Sequence, residues 1–272
     1  MTAGFEAIEY SSRDGIAVVR LNRPAQRNAL DLTMRGEIGR AVEAIRDDAS
    51  IRVLLLIGSG GSFCAGGDLK ALTERERGAL ANRDRIRRLH LWFSELLNLE
   101  KPVVAAVDGP AFGAGLNLAL AADFVLASPR ARFCAVFARI GLVPDLGGFF
   151  LLPRIVGLQK ARELIFTARV VGAEEAQRLG IVTEIHSEET LEPAAMAWCR
   201  RLLEAPTGTI GMAKNILNQS FNLDQRALAE LEAYAQAVAM ETADHRTRVG
   251  DFLAKKPLRY DWEALGRAED GQ

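Results

Sequence analysis

Two glycine-rich loops in this sequence have the composition of sites where backbone N–H groups meet a ligand. The first, "GSGGSFCAGGDLKAL", covers residues 58–72, and the second, "GPAFGAGLNL", covers residues 109–118. Each follows an apolar stretch and leads into a helical pattern, and helix N-termini attract anions and polarised oxygens. We predict that N–H groups near Gly67 and Ala114 converge as an oxyanion hole, which stabilises charge on a carbonyl oxygen. The alternative is a pair of tight strand–helix turns whose glycines serve packing.

The composition is that of an ordinary globular protein, and it argues against several function classes. The 272 residues are 49% hydrophobic with a net charge of −1, which predicts neither nucleic-acid nor membrane partners. The cysteine count is odd, and no Cys or His group has metal-ligand spacing, so we expect no bound metal. The N-terminal segment lacks the apolar core of a secretory signal, which favours a cytoplasmic location. The residues concerned are Cys64, Cys134, Cys199, His90, His186 and His245.

Apolar runs and helical periodicity predict an α/β fold followed by a helical region. Residues 16–24 and 51–58 are typical of buried strands, and residues 31–46 of an amphipathic helix capped by Asp31 or Thr33. Such a strand–helix–strand unit favours parallel pairing. Further strands are predicted at 101–109, 124–128 and 131–137, and helices at 82–98, 116–122, 189–203, 208–220, 224–240 and 242–254.

The chain is predicted to divide after residue 205. Pro206 and Gly208 punctuate the sequence there, between a core of residues 1–205 and a helical region of residues 206–272. Apolar positions at helical spacing within that region fit helices buried against the core or against a partner subunit.

Four motifs in this chain resemble those of the crotonase superfamily, in order and in spacing. They are "RNAL" (27–30), "FCAGGDL" (63–69), "GPAFGAGLNLALAADF" (109–124) and "ARFCAVFARIGLVPDLGG" (131–148). This is the enoyl-CoA hydratase/isomerase family. The resemblance implies a spiral of repeated ββα units with a C-terminal helical trimerisation region, in a homotrimer or a dimer of trimers. It also implies an acyl-CoA thioester substrate and no separate cofactor, because coenzyme A is part of the substrate.

The resemblance assigns the two oxyanion donors to the N–H groups of Gly67 and Ala114. These lie in the two glycine-rich loops for which the residues themselves predict an oxyanion hole. Family members that hydrate a double bond use two glutamates, and this chain has Asn117 and Phe137 at those positions. An amide can orient a water or an acyl chain but exchanges no proton near neutral pH, and phenylalanine does neither. Hydration by the two-glutamate route is therefore disfavoured.

Asp145, in "VPDLGG", stands where the family's double-bond isomerases carry an acid, including the ring-expanding isomerase of phenylacetate breakdown. The resemblance predicts that Asp145 moves a proton between two carbons of an enoyl-CoA. Its apolar neighbours Leu142, Val143, Leu146 and Phe149 are expected to raise its pKa by burial. The alternative role is a helix cap at Gly147–Gly148. An enoyl-CoA hydratase that uses another acid, and a non-catalytic acyl-CoA-binding protein, stay open as alternative functions.

Binding of the coenzyme A moiety is assigned by resemblance alone. Asp68, beside the donor Gly67, is predicted to cap a helix, with a second acid facing the cleft as the alternative. Phe137 is a candidate lining residue of the acyl pocket. The basic run "RDRIRRLH" (83–90) is predicted to be mostly a solvated helix face, with attraction for phosphates as the alternative. The predicted coenzyme A contacts are Arg27, Ala29, Ala65 and Lys70, with Phe252 and Lys255 reaching over from a neighbouring subunit.

Overall fold

A computed structural model of the protein describes residues 4–69 and 78–270, with side chains through residue 266. The prediction for Lys70 falls outside these described residues. Within them, no helix combines the length and apolar character needed to span a membrane.

A six-stranded sheet forms the centre of the fold, with the order β1-β2-β3-β4-β6-β9. The pair β1–β2 is antiparallel, and every later pair in this sheet is parallel. A second, three-stranded sheet has the order β5-β7-β8. The strands are β1 (Ile8–Arg13), β2 (Ile16–Leu21), β3 (Val53–Gly58), β4 (Val103–Val107), β5 (Pro110–Phe112), β6 (Phe124–Ala127), β7 (Arg132–Cys134), β8 (Val171–Gly172) and β9 (Glu184–Ile185).

Helices cover the central sheet and continue to the C-terminus of the described chain. They are α1 (Leu32–Asp47), α2 (Ala79–Leu97), α3 (Ala114–Leu120), α4 (Gly148–Val156), α5 (Leu158–Thr167), α6 (Ala173–Arg178), α7 (Leu191–Leu203), α8 (Thr207–Gln219), α9 (Gln225–Met240), α10 (Ala243–Leu253) and α11 (Trp262–Asp270). The predicted α/β arrangement with a helical C-terminal region is confirmed. The division at residue 205 stays a prediction.

Alternation along the strands divides the core between the two faces of the sheet. On β3, Val53, Leu55 and Ile57 pack with Trp198 and Leu202 of α7. Residues of the opposite parity on β3 and β4 join the larger cluster on the other face, which includes α1. This is the period-2 pattern of strands that are buried on both sides.

Helix α1 begins where the sequence predicts, because Asp31 caps it. The Asp31 side chain accepts a hydrogen bond of 2.8 Å from the N–H of Met34. Met34, Ile38 and Ile45 then lie on the buried face. The cap and the apolar face together place α1 beside the first glycine-rich loop.

Two predicted strands are shorter than expected because the backbone turns inside them. The predicted strand 101–109 ends at Val107, and Gly109 has a φ of +64°. An ideal Cβ on Gly109 would lie 2.2 Å from the carbonyl oxygen of Gly61, so only glycine permits this turn. The predicted strand 131–137 ends at Cys134, and a 3-10 turn follows over Val136–Ile140.

Candidate active site

The two glycine-rich loops follow neighbouring parallel strands and are hydrogen-bonded to each other. The first loop leaves β3 and the second leaves β4, so both begin at the same edge of the central sheet. The N–H of Cys64 donates to the carbonyl of Pro110, and the N–H of Phe112 donates to the carbonyl of Cys64, each at 2.9 Å. Ligands in open α/β sheets bind at this edge, so the loops lie where a site is expected.

The N–H of Gly67 points away from Leu30, the residue with which Gly67 forms an isolated parallel bridge. Its neighbours bond to Leu30: the Leu30 N–H donates to the Gly66 carbonyl at 2.7 Å, and the Asp68 N–H donates to the Leu30 carbonyl at 3.2 Å. In such a parallel bridge, the groups of the central residue face the opposite side. Within residues 4–69 and 78–270, the Gly67 N–H donates to no other backbone group.

Ala114 presents its N–H in the same way, because it is the first residue of α3. The first N–H groups of a helix have no partner within that helix. The preceding Gly113 adopts a φ of +54° and donates its own N–H to the Cys134 carbonyl at 2.8 Å. In the described part of the chain, no backbone group accepts from the Ala114 N–H.

Close glycine contacts hold the two donors together. An ideal Cβ on Gly66 would lie 2.8 Å from the carbonyl oxygen of Phe112 and 3.8 Å from the amide nitrogen of Ala114. An ideal Cβ on Gly115 would lie 2.2 Å from the carbonyl oxygen of Cys64. The glycines therefore do serve packing, as the alternative interpretation holds, and this packing brings the Gly67 and Ala114 segments side by side.

A cavity of about 660 Å³ brings several of the predicted residues together. Ala65, Gly67, Ala114, Phe137 and Asp145 all line it. Apolar side chains of α2 and of the loop before α4 complete much of its wall. A cavity of this size, mostly apolar with a few polar groups, is typical of a small-molecule site.

Asp145 faces this cavity with an unsatisfied carboxylate. Its Oδ1 atom is buried and has no hydrogen-bond partner. Burial raises the pKa of Asp145 above its ordinary value, while the positive charges of Arg35 and Arg85 act in the opposite direction. A largely buried carboxyl with a raised pKa and one oxygen without a partner is suited to exchanging protons with a ligand.

The burial around Asp145 comes only in part from the predicted neighbours. Leu146 is buried, whereas Leu142, Val143 and Phe149 are exposed in this chain. The alternative of a helix cap does not hold, because the residue before α4 is Gly147 and no side chain caps that helix. The backbone carbonyl of Asp145, rather than its carboxylate, accepts from the N–H of Gly148.

Asn117 lies outside the residues that line the cavity and holds the Asp145 loop instead. It is 2% exposed, and its Nδ2 donates to the backbone carbonyl of Asp145 at 2.7 Å. Gly148 makes room for this contact, since an ideal Cβ there would lie 2.7 Å from Asn117 Nδ2. The structure therefore gives Asn117 a positioning contact rather than the contact with substrate that the sequence suggested.

Asp68 lies beside the donor Gly67 but pairs with a cation outside the cavity lining. Its Oδ2 lies 3.2 Å from Arg23 Nη2, and Arg23 also approaches Asp31 at 3.3 Å. The capping role predicted for Asp68 depends on residues 70–77, which lie outside the described part of the chain.

The predicted coenzyme A residues fall into three groups. Ala65 lines the cavity, and its N–H donates to the carbonyl of Arg27 at 2.9 Å. Ala29 lies two residues after Arg27, and its carbonyl accepts a hydrogen bond of 2.6 Å from Arg23 Nη1. Phe252 and Lys255, at the end of α10, are exposed and are not among the residues that line the cavity of their own chain.

Sequence reasoning missed the basic side of the cavity. Arg83, Arg85 and His90 of the run "RDRIRRLH" line it, while Arg87 and Arg88 are exposed, as predicted for a mostly solvated face. Arg35, on the buried side of α1, lines it as well. Helical spacing did carry a signal, because Arg35 lies three residues before Ile38 and seven before Val42, both on the buried face of α1.

The raised pKa of Asp145 predicts that this carboxylate lowers stability at neutral pH. The folded chain binds this proton more tightly than the unfolded chain, so stability falls as pH rises from the ordinary aspartate pKa of ~3.9 through the raised value. Asparagine has no proton to lose. We therefore expect Asp145→Asn to increase the free energy of unfolding at pH 7, measured by denaturant titration, with a smaller increase in acid. An increase that is absent at pH 7, or that grows in acid, would contradict the raised pKa.

The sequence matches the family model described as enoyl-CoA hydratase/isomerase over residues 11–263. It is 34% identical over 248 residues to 1,2-epoxyphenylacetyl-CoA isomerase of Escherichia coli K12, covering 90% of this chain and 95% of that protein. It is 37% identical over 257 residues to a probable enoyl-CoA hydratase of Rhodobacter capsulatus, covering 94% of this chain and 98% of that protein.

A solved structure has the same fold. The crystal structure of an enoyl-CoA hydratase/isomerase from Cupriavidus metallidurans CH34 matches with a TM-score of 0.91 and 42% identity, covering 95% of this chain and 97% of that one. The chain therefore belongs to the enoyl-CoA hydratase/isomerase family of the crotonase superfamily, whose enzymes act on acyl-CoA thioesters. The predicted family and fold class are confirmed.

Proposed function

We propose that this enzyme shifts the double bond of an enoyl-CoA, with Asp145 as the acid and base. The observation that carries the proposal is the buried Oδ1 of Asp145, which has no partner and belongs to a residue lining the same cavity as Gly67 and Ala114. The N–H groups of Gly67 and Ala114 hold the thioester oxygen. They stabilise the enolate that forms when a proton leaves the adjacent carbon.

One carboxylate is enough for this reaction. Asp145 takes a proton from C2 of a 3-enoyl-CoA, and the electron pair moves onto the thioester oxygen as the enolate forms. When the enolate collapses, the same carboxyl returns the proton to C4, and the double bond lies between C2 and C3. The raised pKa of Asp145 makes its conjugate acid a better match to this transfer near neutral pH. No cofactor beyond the coenzyme A of the substrate takes part in the proposed reaction.

The residues at the two hydratase positions support isomerisation over hydration. Phe137 offers no proton, and the amide of Asn117 is engaged with the Asp145 carbonyl. The relatives themselves are named both isomerase and hydratase. The similarity to a 1,2-epoxyphenylacetyl-CoA isomerase is consistent with isomerisation as the class of reaction.

Product analysis tests the proposal against hydration. We expect the enzyme to convert 3-hexenoyl-CoA into the conjugated 2-enoyl isomer, seen as a gain of enoyl-thioester absorbance and confirmed by mass spectrometry as an unchanged mass. Crotonyl-CoA should keep its absorbance, because little water is added. Loss of that absorbance with a gain of one water would favour a hydratase. Binding of both thioesters without turnover would favour a binding protein.

We also propose that the subunits assemble as a homotrimer or a dimer of trimers through the C-terminal helices. Large apolar side chains on α9 and α10 are exposed in the single chain, which supports a partner on these faces. They include Tyr234, Val238, Phe252 and Leu253. In such an assembly, Phe252 and Lys255 of one subunit contact the coenzyme A bound to the next.

A further inference from the structure

Arg35 is a nearly buried cation without an ion-pair partner in the described chain. It is 8% exposed, its Nε is buried without a hydrogen-bond partner, and no carboxylate of the described chain lies within 4.0 Å of it. An ideal Cβ on Gly67 would lie 3.3 Å from Arg35 Nη2, so the guanidinium lies beside the proposed oxyanion donor. Burying an unpaired charge is costly unless a ligand supplies the opposite charge.

The charges around this cavity leave an excess of cations. Arg85, on α2, also lines the cavity, and its Nε is likewise buried without a partner. Asp145 is the one carboxylate among the described lining residues, which also include Arg83.

Among the other nearby carboxylates, Asp31 acts on the charge of Arg35 only from beyond ion-pair distance. Asp31 caps α1 and lies 3.3 Å from Arg23. Asp84, which is exposed, lines an adjoining cleft with Arg35, Arg85 and Arg88. Asp145 therefore faces the nearly buried Arg35 and the partly buried Arg85, and the Nε of each side chain has no hydrogen-bond partner.

We propose that the acyl group of the substrate carries a carboxylate, which Arg35 binds with Arg85 beside it. This inference rests on the proposed binding of an acyl-CoA in this cavity, with its thioester at Gly67 and Ala114. Because Arg35 lies next to Gly67, the carboxylate lies only a few bonds from the thioester. The substrate class is thus the coenzyme A monothioester of a short dicarboxylic acid. Guanidinium groups suit this role because they bind carboxylates through two parallel N–H donors.

Two other roles for Arg35 give different outcomes. If Arg35 binds a phosphate of coenzyme A, its replacement weakens the binding of free coenzyme A as much as the binding of any thioester. If Arg35 acts only on the charge of Asp145, its loss leaves the preference between acyl groups unchanged. A carboxylate subsite requires the loss to depend on the acyl group.

Equilibrium binding of two saturated thioesters of matched length tests the proposal. Glutaryl-CoA ends in a carboxylate and hexanoyl-CoA ends in a methyl group, and free coenzyme A is the control ligand. Hydrogen bonds to charged groups are stronger than those between neutral groups, so we expect the wild type to favour glutaryl-CoA by at least about ten-fold. Arg35→Gln should abolish this preference and leave the affinity for free coenzyme A unchanged.

Arg85→Gln is a second test, which does not require the Arg35 variant to fold. Arg85 is only partly buried, so its replacement should disturb folding less. It should reduce the preference, while Arg88→Gln, which changes an exposed residue of the adjoining cleft, should not. Equal affinity of the wild type for both thioesters, or an equal loss of all three ligands in Arg35→Gln, would overturn the proposal. These measurements involve no turnover, so a failure of Asp145 as a base would leave them intact and would be recognised separately.

Discussion

The Asp145→Asn variant is expected to lose turnover of a 3-enoyl-CoA by about 10²–10⁴-fold, the range found for a positioned acid or base. Asparagine keeps the size of the side chain and can still accept a hydrogen bond, but it takes up no proton near neutral pH. Thioester affinity should stay unchanged, because the Asn117 contact is made to the Asp145 backbone and not to its side chain. The measurement is kcat from conjugated-enoyl absorbance, together with the affinity for hexanoyl-CoA.

Asp84→Asn is the matched control for this variant. Asp84 is an exposed carboxylate of α2 that lines only the adjoining cleft, so its loss should leave kcat unchanged. In the wild type, kcat should fall as pH decreases through the raised pKa of Asp145, because the protonated carboxyl cannot accept the C2 proton. An Asp145→Asn variant that turns over at the wild-type rate would remove this residue from the mechanism.

The Gly115→Ala variant is expected to lose at least about 100-fold in activity and to unfold at a lower temperature. The added methyl would lie 2.2 Å from the Cys64 carbonyl oxygen and 2.8 Å from Cys64 Cβ. Backbone groups of α3 and of the first loop must then move apart, which displaces the Ala114 donor relative to Gly67. A misplacement of roughly 1 Å in an active site costs about 100-fold in rate.

Gly208→Ala is the control for Gly115→Ala, because an ideal Cβ there meets nothing within 4 Å and the residue is exposed on α8. Alanine favours a helix over glycine, so this control should retain activity and match or exceed the stability of the wild type. Activity and melting temperature, measured side by side, separate the two variants. If Gly115→Ala retained full activity, the close contact between the loops would not set the donor geometry.

Much of the fold follows from local pattern in the sequence. The apolar run of β3, the amphipathic period of α1 and the Asp31 cap depend on residues close in sequence, and the structure has each of them near its predicted bounds. The end of β7 at Cys134 was missed, because Phe133 and Phe137 continue an apolar pattern while the backbone changes to a 3-10 turn.

The parts of the site that depend on residues close in sequence were predictable, and those that depend on distant residues were not. The Gly67 and Ala114 loops carry glycine signals in the sequence itself. The Asn117 contact joins residues 28 positions apart, and the contact of Arg35 with the Gly67 segment joins a helix to a loop. No rule of sequence spacing reveals such pairs. Asn117 was therefore predicted to contact substrate although it positions the Asp145 loop, and Arg35 was not predicted as a cavity residue.

Proton exchange at the carbon next to the thioester tests the central claim most directly. Hexanoyl-CoA is incubated in D2O with the wild type, Asp145→Asn and Asp84→Asn, and the α-hydrogen signal is followed by NMR. Formation of an enolate with Asp145 as the base predicts that the signal decays with the wild type and Asp84→Asn but persists with Asp145→Asn. Persistence of the signal with wild-type enzyme that binds the thioester, or equal decay with Asp145→Asn, would contradict that claim.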